Sequence, residues 1–172
     1  MMKSSIGLEY KISPFTEKVL HTCLEIRKEK GYPINEDEIE YYHEKLLSIA
    51  DELSEEMKRT NASAGEIVKK YTENLPHSDR YNLPDILDSV EKGASGFGKF
   101  LLGACLLETL DPKSFYTFLD KITIGNGFIK IEEDPYSERW VVYGNDQEAE
   151  KLMDYLLPFL YKYKSRNIFR GS

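Results

Sequence analysis

GASGFGKFLLGACLLETL, Gly93 to Leu110, is the stretch around which the rest of the chain has to be arranged. A helix lying on a protein surface shows apolar residues on one stripe only. Here Phe97, Phe100, Leu101, Leu102, Ala104, Cys105, Leu106, Leu107 and Leu110 cover nearly the whole circumference, which predicts a buried central helix. Its glycine-rich start matches the glycine and lysine positions of the phosphate-binding pattern G-x-x-x-x-G-K-[ST]. The match fails at Phe100, where a magnesium-binding hydroxyl belongs, and LPDILDSVEK before it reads as helix where that pattern needs a strand. A structural reading replaces it. Gly93 ends the preceding helix, and Gly96, Gly98 and Gly103 let neighbouring backbones approach.

Working back from Gly93, Asn82-Leu-Pro-Asp85 starts a helix bearing Ile86, Leu87 and Val90, after a polar loop from Pro76 to Tyr81. Ser63 with Glu66 forms a capping box ahead of Ile67, Val68 and Tyr71. The long helix before that has the most strongly specified start. Asn35 with Glu38 makes a second capping box, Ile34 with Ile39 a hydrophobic staple, and Ile39, Tyr42, Leu46, Ile49 and Leu53 an apolar stripe running to about Arg59. Ser13-Pro14 opens the first helix, whose pattern Val19, Leu20, Cys23, Leu24 and Arg27 continues to Gly31.

Working forward, Asp111-Pro112 starts a helix with Phe115, Phe118, Leu119 and Ile122 on its apolar face, until Gly125-Asn126-Gly127 breaks the pattern. FIKIEE and ERWVVY then flank a proline turn at 134–137, which predicts a β-hairpin with Ile129 facing Val142 and Ile131 facing Trp140. Asn145 with Glu148 begins a last helix bearing Leu152, Met153, Leu156 and Leu157, which Pro158 should kink or end.

These elements predict one mainly α-helical domain of about seven helices around a buried central helix, in the α+β class if the hairpin is counted. Its parts are an irregular start at 1–12, a helical part at 13–125, a β-hairpin at 126–144, a C-terminal helix at 145–164 and a tail at 165–172. A chain of 172 residues can bury a substantial core without disulfides or metals. Its longest apolar run, 100–107, is far shorter than the roughly 20 residues that span a bilayer. The start lacks an apolar segment followed by small residues, so a cytoplasmic location is expected. Two unpatterned cysteines, Cys23 and Cys105, fit buried thiols in a reducing compartment. A net charge of −7 opposes broad attraction to nucleic acid or anionic membrane.

Candidate chemistry begins with histidine. Glu17 precedes His21 by four residues and Glu40 precedes His43 by three, and an antiparallel first helix pair would bring both histidines to similar heights. The second Glu-x-x-His that a di-iron bundle needs is missing, so surface ion pairs are the expectation, with no metal or cofactor. His77 beside Ser78 and Asp79 reads as loop. The tail residues Tyr161, Lys162, Tyr163, Lys164, Arg166, Phe169 and Arg170 suit a helix C-terminus better than a binding arm.

The order helix from Pro112, hairpin, further helix is similar to that of winged-helix DNA-binding proteins. The resemblance implies a recognition helix in the major groove, with Lys113 and Lys121 on it, and a wing bearing Lys130 and Arg139. Glu132, Glu133, Asp134 and Glu138 would then face phosphate, which opposes docking. The expected function is therefore a non-enzymatic cytosolic protein-protein interaction or regulatory module, self-association included. The alternatives are a winged-helix transcription regulator and, third, a metal-dependent helical enzyme using Glu17, His21, Glu40 and His43. Twelve tyrosines support the first, because tyrosine is enriched at interfaces.

Overall fold

The computed structural model describes residues 13–32, 37–120, 122–125, 128–131, 141–143, 151, 152, 154–156 and 158. The protein is mainly helical. In chain order come α1 (Pro14–Glu29), α2 (Asp37–Thr60), α3 (Ala64–Glu73), α4 (Leu83–Asp88), a 3-10 turn (Val90–Lys92), α5 (Gly96–Leu110) and α6 (Pro112–Asp120). Residues 151, 152, 154–156 and 158 are helical as well.

α5 is the centre. Every residue from Phe100 to Glu108 is buried, and α1, α2, α3, α4 and α6 all pack on it. Burying a leucine or phenylalanine side chain contributes roughly 1.5–3 kcal/mol, so this one helix supplies a large share of the apolar stabilisation. Phe15 of α1 meets Phe115 of α6 at 5.0 Å between ring centroids, and Phe118 lies 6.2 Å from both Phe100 and Phe115. Leu152 and Leu156 from the later helical residues join the same cluster.

Capping fixes where the helices begin. Ser63 and Glu66 form the reciprocal capping box of α3. The Asp111 carboxylate accepts from the Ser114 amide at 3.2 Å and from its hydroxyl at 2.7 Å, at the start of α6. Ser95 caps α5 by accepting from the Gly98 amide at 3.0 Å. For α2, the start built on Ile34 and Asn35 lies outside the described residues.

α1 is capped from a distance. Ser13 makes no side-chain cap bond, and Glu108 of α5 does the work instead. Its carboxylate accepts from the Phe15 and Thr16 amides at 3.0 and 2.9 Å, and from the Thr16 and Tyr116 hydroxyls at 2.7 Å each. The group is fully buried, and both oxygens are satisfied where the helix N-terminus is positive.

Three details differ from the sequence expectation. The helix before Gly93 breaks at Ser89, where φ −157° and ψ 83° leave the helical region, and only a 3-10 turn continues to Lys92. Gly96 has no neighbour within 4 Å of where a Cβ would sit, whereas Gly93 and Gly98 do approach closely, against the carbonyls of Pro76 and Arg80. α6 stops at Asp120, so Ile122 opens β1 (Ile122–Gly125) rather than extending the helix, as the β-branched run Ile122-Thr123-Ile124 favours. β2 (Phe128–Ile131) pairs antiparallel with β1 and with β3 (Val141–Tyr143), with Ile129 opposite both Ile124 and Val142. The strand residues 122–125 thus fall inside the segment expected to be helical. The backbone of β3 runs against α5.

Candidate functional site

A polar cleft opens where α1, α2 and α4 meet, and local sequence explains each wall. Gly31 ends α1 in the left-handed region at φ 92°, with its amide bonding to Lys28 and the Tyr32 amide to Arg27, the paired bonds of a Schellman turn. That turn sets Tyr32 beside Arg27 on the cleft wall. Arg27 itself interrupts the apolar stripe of α1, and a cation at such a position needs partners. α4 supplies them from Asp85 and Asp88, three residues apart on one side of the helix.

The resulting network is continuous. The Arg27 guanidinium donates to the Asp85 carboxylate and, at 3.2 Å, to the Tyr42 hydroxyl, while its other contact is Asp88 at 3.9 Å. The Tyr42 hydroxyl donates to Asp88 at 3.1 Å, and Lys45 reaches the other Asp88 oxygen at 3.1 Å. Lys45 also lies 4.6 Å over the exposed ring of Tyr41. Burial works against the charge on Arg27, but the hydrogen bonds of Tyr42 and Asp85 outweigh it and hold the guanidinium protonated. Burial, then the nearby Asp88 charge, pushes the Tyr42 phenol up, so it stays a neutral donor. Lys45 is raised by its contact with Tyr41 and by the opposite charge of Asp88, against burial, and stays charged.

Two adjoining hollows flank this network and share Lys30 and Asp85. The first, about 440 Å³, is lined by Ile26, Arg27, Tyr32, Glu38 and Asn82 besides those two. The second, about 560 Å³ and more open, is lined by Ser78, Asp79, Arg80, Tyr81 and Lys92. Arg80 is oriented by a 3.2 Å bond to the backbone carbonyl of Asp85. Asn82 is only 5 % exposed, and its Oδ1 has no hydrogen-bond partner.

Among the described residues, those singled out from sequence are spread over separate elements. Lys113 is exposed in the first turn of α6, Lys130 stands on β2 opposite Thr123 and Val141, and Lys121 and Arg139 lie outside the described residues, as does the tail. Glu17 and His21 form an exposed pair at 3.8 Å, whereas His43 is buried on α2 with Nδ1 unbonded. The surface ion pair expected of Glu40 and His43 is therefore not made, because the imidazole turns into the core. Among the described residues no group of three or more His, Cys, Asp or Glu side chains is placed to hold a metal ion. The glycine-rich start of α5 uses its amides internally: Gly93 bonds to Val90, Ala94 to Pro76, Ser95 to Arg80 and Gly98 to Ser95. These are the donors that a phosphate loop would turn outward.

Arg27, Tyr42, Asn82, Asp85 and Asp88 were missed as site residues by the sequence reading. The one available signal was Arg27 on an otherwise apolar stripe. No family model, curated protein or solved structure matches this chain. No helix among the described residues is long and apolar enough to cross a membrane.

Proposed function

We propose that the chain is a non-enzymatic cytosolic module acting by protein-protein contact, and that a partner docks on the face formed by α1, α2 and α4. One observation supports this most. Tyr32 and Tyr41, 62 % and 49 % exposed, stand beside an ordered network of Arg27, Tyr42, Lys45, Asp85 and Asp88. Tyrosine and arginine are the residue types that anchor interfaces, and side chains already held in place lose less freedom on binding. The two buried cysteines, neither in a disulfide, fit a reducing compartment. The β-hairpin at 126–144, in this reading, closes one end of the helical core, as the run of β3 along α5 suggests.

The test is partner capture with in-cell crosslinking, alongside sedimentation of the purified chain, for wild type and a Tyr32→Ala/Tyr41→Ala double variant. The expected outcome is a defined complex or oligomer that the double variant weakens by at least about tenfold. A monomer that captures nothing would overturn the reading. Salt-sensitive binding to a 30-base-pair duplex, weakened by Lys113→Glu, would put the winged-helix regulator in its place.

A further inference from the structure

We infer that the two adjoining hollows form one groove for an extended, acidic peptide segment of the partner, with Asn82 bonding to its backbone and Arg80 and Lys92 to its carboxylates. This rests on the interaction-module reading and names what the docking face holds.

Asn82 provides the first argument. It occupies the N-cap of α4 with extended backbone, φ −94° and ψ 125°, where an asparagine side chain ordinarily accepts from the first-turn amides. It makes no such bond. The residue instead borders the first hollow, almost wholly buried, with its acceptor oxygen unbonded. A residue that forgoes its local bond and keeps an unmet acceptor at the border of a hollow is completed by a ligand N–H once its side chain turns into that hollow. A peptide offers one at each non-proline residue, about 3.3 Å apart when extended.

Charge gives the second argument. The chain is acidic overall, yet the second hollow sets Arg80 and Lys92 against Asp79 and Asp85. Asp85 is already engaged by Arg27. The bond that orients Arg80 goes to a neutral carbonyl, which positions the guanidinium without cancelling its charge. Carboxylates are the complement of that end of the groove.

Shape separates a peptide from a small metabolite. Small-molecule sites enclose most of their ligand, whereas these hollows are open and meet side by side at Lys30 and Asp85. A polymer segment running past Asp85 makes contact in both.

The test uses the full chain, fluorescently labelled, on an immobilised array of random-sequence dodecapeptides. Affinities of the best binders are then measured by anisotropy. The selected peptides should be enriched in Asp and Glu, and their binding should weaken with added salt. Arg80→Glu/Lys92→Glu should weaken it by about 30-fold and Lys92→Glu alone by about fivefold, the single variant guarding against misfolding of the double. Asn82→Leu should cost about tenfold in affinity while raising the melting temperature, because it removes an unbonded buried acceptor. A purely structural asparagine would lower the melting temperature and leave affinity unchanged.

Selected peptides that are neutral or basic, or that bind all variants equally, would overturn the groove assignment and leave the interaction module standing. Competition by free glutamate at the concentration that the peptides require would make the ligand a small carboxylate and overturn the peptide inference. No bound peptide, together with no captured partner and no self-association, would overturn both.

Discussion

Glu108 is the side chain whose removal the fold should tolerate least, because four donors from two other elements, the first turn of α1 and α6, converge on it. Glu108→Ala orphans two buried amides and two hydroxyls, and urea denaturation should show a loss of about 3–5 kcal/mol. Glu108→Gln keeps the shape and one acceptor, so roughly half that loss is expected. His43 gives a pH dependence of definite sign. Burial holds its pKa below the ordinary value of 6.5, so as pH falls past that value the unfolded chain takes up the proton first. Stability should therefore fall on acidification below about pH 6.5, until the folded imidazole titrates too. His43→Leu should flatten that part of the stability profile. Cys23, pushed by burial up to about 12, and Cys105, raised well above its ordinary value by burial and then Glu108, should resist a thiol reagent at pH 8 until the chain is unfolded.

At the scale of elements, the glycines that begin α5 separate cleanly. A Cβ on Gly93 would lie 2.0 Å from the Pro76 carbonyl oxygen at a φ of +83°, so Gly93→Ala should cost roughly 2–3 kcal/mol and lower the melting temperature by about 4–12 °C. Gly96→Ala meets nothing and should be neutral or stabilising by up to about 0.5 kcal/mol. Thermal denaturation of the two variants side by side checks this. α5 was legible because an apolar circumference admits only burial, and α3 because its capping box is written within four residues. The break at Ser89 was not legible, since Val90 continues the helical spacing and the geometry is set by the loop that Gly93 meets. Nor was the end of α6, where Ile122 satisfies both a helix face and a strand. The cleft was hidden for a different reason. Tyr42, Asp85 and Asp88 lie 15 to 61 residues from Arg27, and no local spacing encodes a pairing of that range.

At the scale of the whole molecule, the later helical residues are tied to α1 by polar as well as apolar contacts. Glu29 receives Lys151 and the Tyr155 hydroxyl, the latter at 2.8 Å, while Leu152 and Leu156 are buried. A chain ending at residue 150 loses both leucines from the core. It should bind a hydrophobic dye in the native state and lose about 3–6 kcal/mol of stability, read by denaturant titration. The remote cap on α1 has a further consequence, in time. Its donors at 15 and 16 lie 93 and 92 residues before the carboxylate that accepts from them. During synthesis α1 leaves the ribosome well ahead of Glu108, at about 5–20 residues per second, and waits several seconds with its first turn uncapped. Closing so long a loop comes late on a folding pathway, so changes at Glu108 should mainly accelerate unfolding and leave the folding rate nearly untouched. α1, among the earliest segments made, is thus among the last to be finished.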